Sequence, residues 1–278
     1  MPGTILHQRG NGLAELVFAL RDGQSRLAHL YQSDPCRILF PRGAAGDPPG
    51  AVLLTTSGGL AGGDRVRFAL SVEAGAAAVV TSQAAEKVYR SLGPESRVAI
   101  DLTVADDAWC EWLPQETILF EGARLRRHTD VTVAGAGRLL ACEMLVLGRI
   151  ARGERFSTGL LHDQWRVRRG EDLAWADSLR LDGDVAAIVG EPAGFAGATA
   201  LATALYVGPD AGALLAPARQ LLAAAASHAG VTLVNGMLLA RLVGLQAATV
   251  RRDLMAYLAG FRHLAVGLPA RMPQVWYS

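Results

Sequence analysis

Apolar residues fall on every second position through several runs in the first two thirds of the chain. From Arg65 the sequence reads RVRFALSVE, and Val66, Phe68, Leu70 and Val72 share one face. RVAIDLTV repeats the pattern with Val98, Ile100, Leu102 and Val104. DVTV does so with Val131 and Val133, and QWRVRR with Trp165 and Val167. A period of two is that of a half-buried strand. Each run ends on small or turn-forming residues: EAGA, ADDA, AGAG and RRGED. A second apolar stretch follows each time: AAVVTS, WCEWLP, RLLACEMLVLG and LAWADSL. The unit of strand, tight turn and strand recurs at a spacing of roughly thirty residues. One hairpin cannot bury its apolar face alone, so the pattern predicts hairpins stacked in two layers, a mainly β fold.

The last third changes period. Asp210 to Gly230 contains PARQLLAAAASHAG, which predicts an Ala-rich helix capped by Gly230. VTLV and MLLARLV predict a short strand pair. In LQAATVRRDLMAYLAGFRHLAVG, Val250, Leu254, Tyr257, Leu258, Phe261 and Leu264 form one helical stripe, ended by Leu268 to Pro273. No linker divides the chain. The expectation is a single domain, residues 1–278, with a β stack over about 1–209 and a helical part over 210–278.

Composition narrows the function classes. Of 278 residues, 51% are hydrophobic and the formal net charge is +1, which gives no electrostatic case for nucleic acid or an anionic membrane. Cys36, Cys110 and Cys142 are odd in number and far apart, which fits a reducing compartment rather than a disulfide framework. The start, MPGTILHQRGNGLAEL, has no apolar core of signal-peptide length. These features predict a soluble, cytoplasmic protein. There is no HxH or HExxH pair, no GxSxG elbow and no GxxxxGK[ST] loop. An enzyme is therefore not the favoured class.

Four segments carry candidate chemistry. TTSGGLAGGD, residues 55–64, holds two glycine pairs and ends on Asp64. Consecutive backbone N–H groups could cradle a phosphate, with Arg65 or Lys87 beside it. Such nests usually open a helix, and a strand pattern follows this one, so a tight turn with Asp64 accepting backbone N–H bonds is favoured. TSQAAEKVYRS reads as a short exposed helix that could offer Lys87, Tyr89 and Arg90 to a partner. EWLPQETILFEGA sets Glu111, Glu116 and Glu121 around an apolar run. ACEMLVLGRIARGERF sets Cys142 and Glu143 in a buried-looking strand, followed by Arg149, Arg152, Glu154 and Arg155. A carboxylate there needs a partner such as Arg149, or a water-lined path open to divalent cations.

GGLAGGD, TSQAAEKVYRS, EWLPQETILFEGA, CEMLVLGRIARGERF and the tail PARMPQVW occur in that order. Together they resemble the urease accessory protein family UreD, called UreH in some bacteria, from about Pro35 to Trp276. Glu86 stands where the family pattern has a small hydroxyl residue, and Gln274 where it has an arginine. The resemblance implies a β-helix-like two-layered stack with helices at its C-terminal end. It implies a scaffold that binds apo-urease and UreF, and through UreF the GTPase UreG. Nickel would then reach a urease site containing a carbamylated lysine. It implies no tightly bound cofactor, only transient nickel. On this basis Glu116, Glu143, Glu154, Asp64 and Cys142 are the expected nickel-path residues. Lys87, Tyr89, Arg90, Val250, Leu254, Tyr257 and Phe261 are the expected partner contacts.

Overall fold

The computed structural model describes residues 9–278. The first half of the chain runs through strands β1 (Asn11–Arg21), β2 (Gln24–Gln32), β3 (Cys36–Leu39), β4 (Gly50–Thr55), β5 (Arg65–Val72), β6 (Ala77–Ser82), β7 (Glu86–Val88), β8 (Ser96–Val104) and β9 (Trp109–Leu113). Then come β10 (Thr117–Leu119), β11 (Arg124–Val133), β12 (Arg138–Leu147), β13 (Thr158–Arg169) and β14 (Asp172–Asp184). The remainder is helix α1 (Val185–Gly190), β15 (Ala200–Val207), α2 (Ala211–Leu221), β16 (His228–Val234), β17 (Met237–Gly244) and α3 (Ala247–Val266).

Two sheets result. One has seven strands in the order β14-β13-β11-β8-β5-β1-β2, and the other ten, with the path β16-β17-β15-β12-β9-β6-β4-β3 and β7 and β10 beside it. Strands on either side of a tight turn, such as β5 and β6, lie in opposite sheets. Each pairs in parallel with its counterpart one repeat on: β5 with β8, β8 with β11, β6 with β9, and β9 with β12. The repeat is therefore an arch, not the expected hairpin, and the stack is β-solenoid-like with about four turns. A period-two pattern is the same for both, because each leaves one face apolar. The turns decide it. Their backbone groups bond to the neighbouring turns, Gly75 N–H to Asp106 O and Arg138 N–H to Ala108 O, rather than folding a strand back beside its predecessor. β13 and β14 do form a hairpin, through Gly170 in a left-handed conformation, and it closes one end of the seven-stranded sheet.

β12 is buried along nearly its whole length because it has a core on each face. Leu139, Ala141, Leu145 and Leu147 point between the sheets. Leu140, Cys142, Met144 and Val146 point to a second core under α2, α3 and the C-terminal tail. The helical stripe of α3 belongs to that second core. Val250, Leu254, Tyr257 and Phe261 are at most 2% exposed, so these four cannot present the partner surface expected of them. An amphipathic helix signals only that one face is covered, and here sheet strands β15, β17 and β12 cover it. Gly267, at φ +70°, caps α3, its N–H bonding His263 O. The Ala-rich helix ends earlier than its composition predicts. Leu222 closes it, and Gly230 lies inside β16, where pairing with β17 overrides helix propensity. TSQAAEKVYRS is likewise extended rather than helical: β7 pairs in parallel with β10. Trp276 anchors the tail, with its indole N–H directed at Thr81 Oγ1 and Leu113 O.

Candidate functional site: a chamber between the sheets

A cavity of about 290 Å³ opens between the two sheets. Apolar residues such as Leu60, Phe68, Ile100 and Trp112 form much of its wall, and Glu86, Gln115, Thr117 and Arg127 supply polar groups. Arg127 is the centre of a buried cluster that joins the sheets. It donates from Nε to Asp163 Oδ1 at 3.0 Å and from Nη1 to Thr117 Oγ1 at 3.0 Å. Its Nη2 meets both Glu143 Oε2, at 2.5 Å, and Asp163 Oδ2. Trp165 Nε1 adds a hydrogen bond of 3.0 Å to the same Glu143 oxygen. Burial, and then Asp163 beside it, push the Glu143 carboxyl up to about 8. Burial works against the charge on Arg127, but Asp163 and Glu143 outweigh it and hold the guanidinium above its ordinary value. The cluster is thus one fixed cation between two carboxyl groups that repel each other.

At the chamber wall, Glu86 accepts a hydrogen bond from Thr55 Oγ1 at 3.2 Å. Burial pushes its carboxyl up to about 7, against the pull of Thr55 and of Lys87. The folded state therefore holds a proton that the unfolded chain releases near pH 4.3. Stability is lost as pH rises from that value through about 7, and is level above it. Glu86→Gln is expected to flatten this part of the pH profile and to raise the urea midpoint at pH 8. An unchanged profile would show that Glu86 is ordinarily ionised.

A second buried ion cluster ties α3 to the ten-stranded sheet. Arg262 Nε donates to Glu111 Oε1 at 3.0 Å, and its Nη1 to Asp47 Oδ1 at 2.9 Å and to the carbonyls of Pro269 and Arg271. Burial raises the Glu111 carboxyl, and its Oε2 has no hydrogen-bond partner among the described residues.

The structure does not gather the five expected nickel-path residues into one place. Glu143 lies in the inter-sheet cluster, and its partner is Arg127 rather than Arg149. Arg149 instead pairs with Glu154 on an exposed loop and stacks on Phe120 at 4.1 Å. Glu116 is tied to Arg251 of α3 at 3.1 Å. Cys142, one residue from Glu143, faces the helix-side core by strand alternation, and burial raises its thiol pKa. Asp64 is spent on the backbone: Oδ1 accepts Gly10 N–H and Oδ2 accepts Ala61 N–H, both at 2.8 Å. Among the described residues no three His, Cys, Asp or Glu side chains converge with metal-ligand spacing.

Nor is the glycine loop a phosphate cradle. Leu60 N–H bonds Lys87 O, Gly63 N–H bonds Glu95 O, and Asp64 N–H bonds Ala61 O. These groups point into the protein. Lys87 and Arg90 stay exposed beside the loop, while the Tyr89 hydroxyl donates to Gly58 O at 2.9 Å. Sequence reasoning missed Arg127 and Asp163. The signal was their phase: Arg127 shares the inward positions of β11 with Leu125 and Val131, and Asp163 those of β13 with Leu161 and Trp165.

The fold and chamber define a β-solenoid-like protein with a helical flank and a polar cluster between its sheets. Its kinship is specific. The profile of the UreD urease accessory protein family matches residues 10–277. The chain is 45% identical to the urease accessory protein UreD of Magnetococcus marinus, covering 95% of this chain and 93% of that one. It is 43% identical to UreD 1 of Bradyrhizobium sp. strain ORS 278, over 97% and 94%, and 41% identical to UreD of Azorhizobium caulinodans, over 99% and 99%. The chain belongs to the UreD urease accessory protein family.

Proposed function

We propose that this protein is a non-enzymatic urease maturation factor. It acts in the cytoplasm, binds apo-urease and UreF, engages UreG through UreF, and passes nickel as cargo along the inter-sheet chamber. The observation that carries the maturation role is the family match from residue 10 to residue 277. The chamber supports the passage. Its polar groups are carboxyl, hydroxyl, amide, ammonium and guanidinium, and among the described residues that line it there is no imidazole or thiolate. Oxygen ligands hold a borderline divalent ion loosely, which suits a route rather than a store. With the apolar stripe of α3 buried, the exposed Lys87 and Arg90 beside the glycine loop are the better candidates for a partner contact.

Glu143 is the one carboxylate of the expected set inside the stack, and Glu154 lies outside it. Glu143→Gln keeps the side-chain shape. It should leave co-purification with UreF and apo-urease intact while lowering urease activation by about tenfold at limiting nickel. Glu154→Gln should activate as the unaltered protein does. Equal activation by both variants contradicts the passage, and loss of co-purification by Glu143→Gln contradicts its local role.

A further inference from the structure

The outer face of the seven-stranded sheet carries a row of cationic side chains that the chamber does not involve. Register pairs Arg65 with Arg97, Arg97 with Arg126, Arg126 with His162, and His162 with Arg180. Five neighbouring strands, β5, β8, β11, β13 and β14, thus each place an arginine or histidine on one line. Like charges directly opposite each other across strands are destabilising. Internal compensation is incomplete. Glu95 serves both Arg97, at 3.1 Å, and Arg126, at 2.8 Å. Asp182 serves Arg180 at 2.6 Å. Arg65 has no carboxylate within 4.0 Å among the described residues. His162 is a neutral link: Nδ1 accepts from Arg126 at 2.5 Å and Nε2 faces Ser178 Oγ at 3.2 Å. Burial, then Arg126 and Arg180, lower its pKa. Four guanidinium groups therefore face two carboxylates. A cleft of about 310 Å³ opens at one end of the row, lined by Arg65, Arg67, Arg97, Arg126 and His128.

We infer that this row is a docking surface for an acidic stripe on an α-helix of a protein partner. Strands lie about 4.8 Å apart, so the row runs about 19 Å. One helical turn advances about 5.4 Å, so carboxylates one turn apart meet successive arginines over its length. Four residues further along the strands, about 13 Å away, the line carries Glu15, Asp101 and Asp130, in register through Ala69, and then Arg166 on β13. A helix about 10 Å wide fits on the basic row without covering this second line. A nucleic-acid duplex lying on this face also meets Asp101 and Asp130, which Arg67 and His128 pair, and is the alternative occupant that the test separates. The inference does not rest on nickel passage.

The test is fluorescence anisotropy at low salt with the full chain. The probe is a labelled Ala-rich helical peptide of about twenty residues, with glutamates along one face. A scrambled peptide of the same composition and a short DNA duplex are the other arms. The striped peptide should bind best, and added salt should weaken it. Arg65→Ser combined with Arg97→Ser, which leaves Glu95 paired with Arg126, should weaken binding about tenfold or more, because charge-assisted contacts are lost. The melting temperature should hold or rise, which loss of a structural contact would not produce. Arg67→Ser, whose charge is already met by Asp101 at 2.8 Å, should change binding about twofold at most. No binding at low salt, equal binding of the scrambled peptide, tighter binding of DNA, or an equal loss in Arg67→Ser overturns the inference.

Discussion

Gly62→Val is expected to leave little folded protein. A Cβ on Gly62 would lie 2.0 Å from Ser91 Oγ, 2.6 Å from Ser91 Cβ and 2.7 Å from the Pro94 carbonyl oxygen. The glycine loop crosses the segment after β7 at this point, and neither backbone is free to move. Leu60 N–H and Tyr89 N–H pair the two segments at 2.7 and 2.9 Å, and Gly63 N–H is held by Glu95 O. Asp64 fixes the far side through Gly10 and Ala61. Overpacking of a rigid site costs about 1–3 kcal/mol and at times more. Valine adds two further methyl groups to a clash that involves a carbonyl. Gly93→Ala, at a position with open space around its Cβ, is the comparison. Soluble yield and the melting temperature should fall sharply for Gly62→Val and stay level for Gly93→Ala. A Gly62→Val protein that melts normally yet fails only in nickel transfer would mean that the loop has a chemical role after all.

The other large effect is expected at Arg127. Arg127→Met removes the shared cation and leaves Glu143 and Asp163 buried together. Breaking a buried pair in this way costs roughly 3–5 kcal/mol, because a desolvated charge loses its partner. The loss depends on pH, and its sign follows from the carboxyl groups. Without Arg127 the Glu143 carboxyl, already raised by burial and by Asp163, loses the cation that pulls it down. The variant then loses stability as pH rises from about 4.3, the unfolded value, and regains it on acidification. Urea midpoints should therefore lie closest to the unaltered protein at low pH and furthest at high pH. Arg127→Met combined with Glu143→Leu and Asp163→Leu should recover much of the loss, since a packed apolar substitute for an ion cluster is often neutral. A single Arg127→Met variant as stable as the parent at pH 8 would show that water already solvates the cluster.

How much of this was legible in the sequence differs from element to element. The alternating runs at Val66–Val72, Val98–Val104 and Val131–Val133 are strands, and their spacing is the rung spacing of the solenoid. The stripe on α3 was equally plain. What the alternation cannot carry is which backbone a strand bonds. β5 and β8 are in register across thirty-two positions, while β5 and β6 are joined by a turn of four residues and bond elsewhere. Long-range choice also undid the helix end. AAAASHAG has helical composition, but β17 offered His228–Val234 an edge to pair with.

The site was legible in part. Glu143 stood out as a carboxylate in an apolar run, and Asp64 as a turn residue. Their partners did not stand out, because contact is made by rungs rather than by sequence distance. Arg149 lies six positions from Glu143, Arg127 sixteen, yet the solenoid places Arg127 opposite and Arg149 on an exposed loop. The same stacking puts Arg65, Arg97, Arg126 and His162 on one line, although about thirty residues separate each from the next.

The central claim is that the chain is needed to load urease with nickel. The most direct measurement is the activity of apo-urease incubated with UreF, UreG, GTP, bicarbonate and limiting nickel, with this protein present or omitted. The account predicts active urease only when it is present. Equal activation in its absence would contradict the claim.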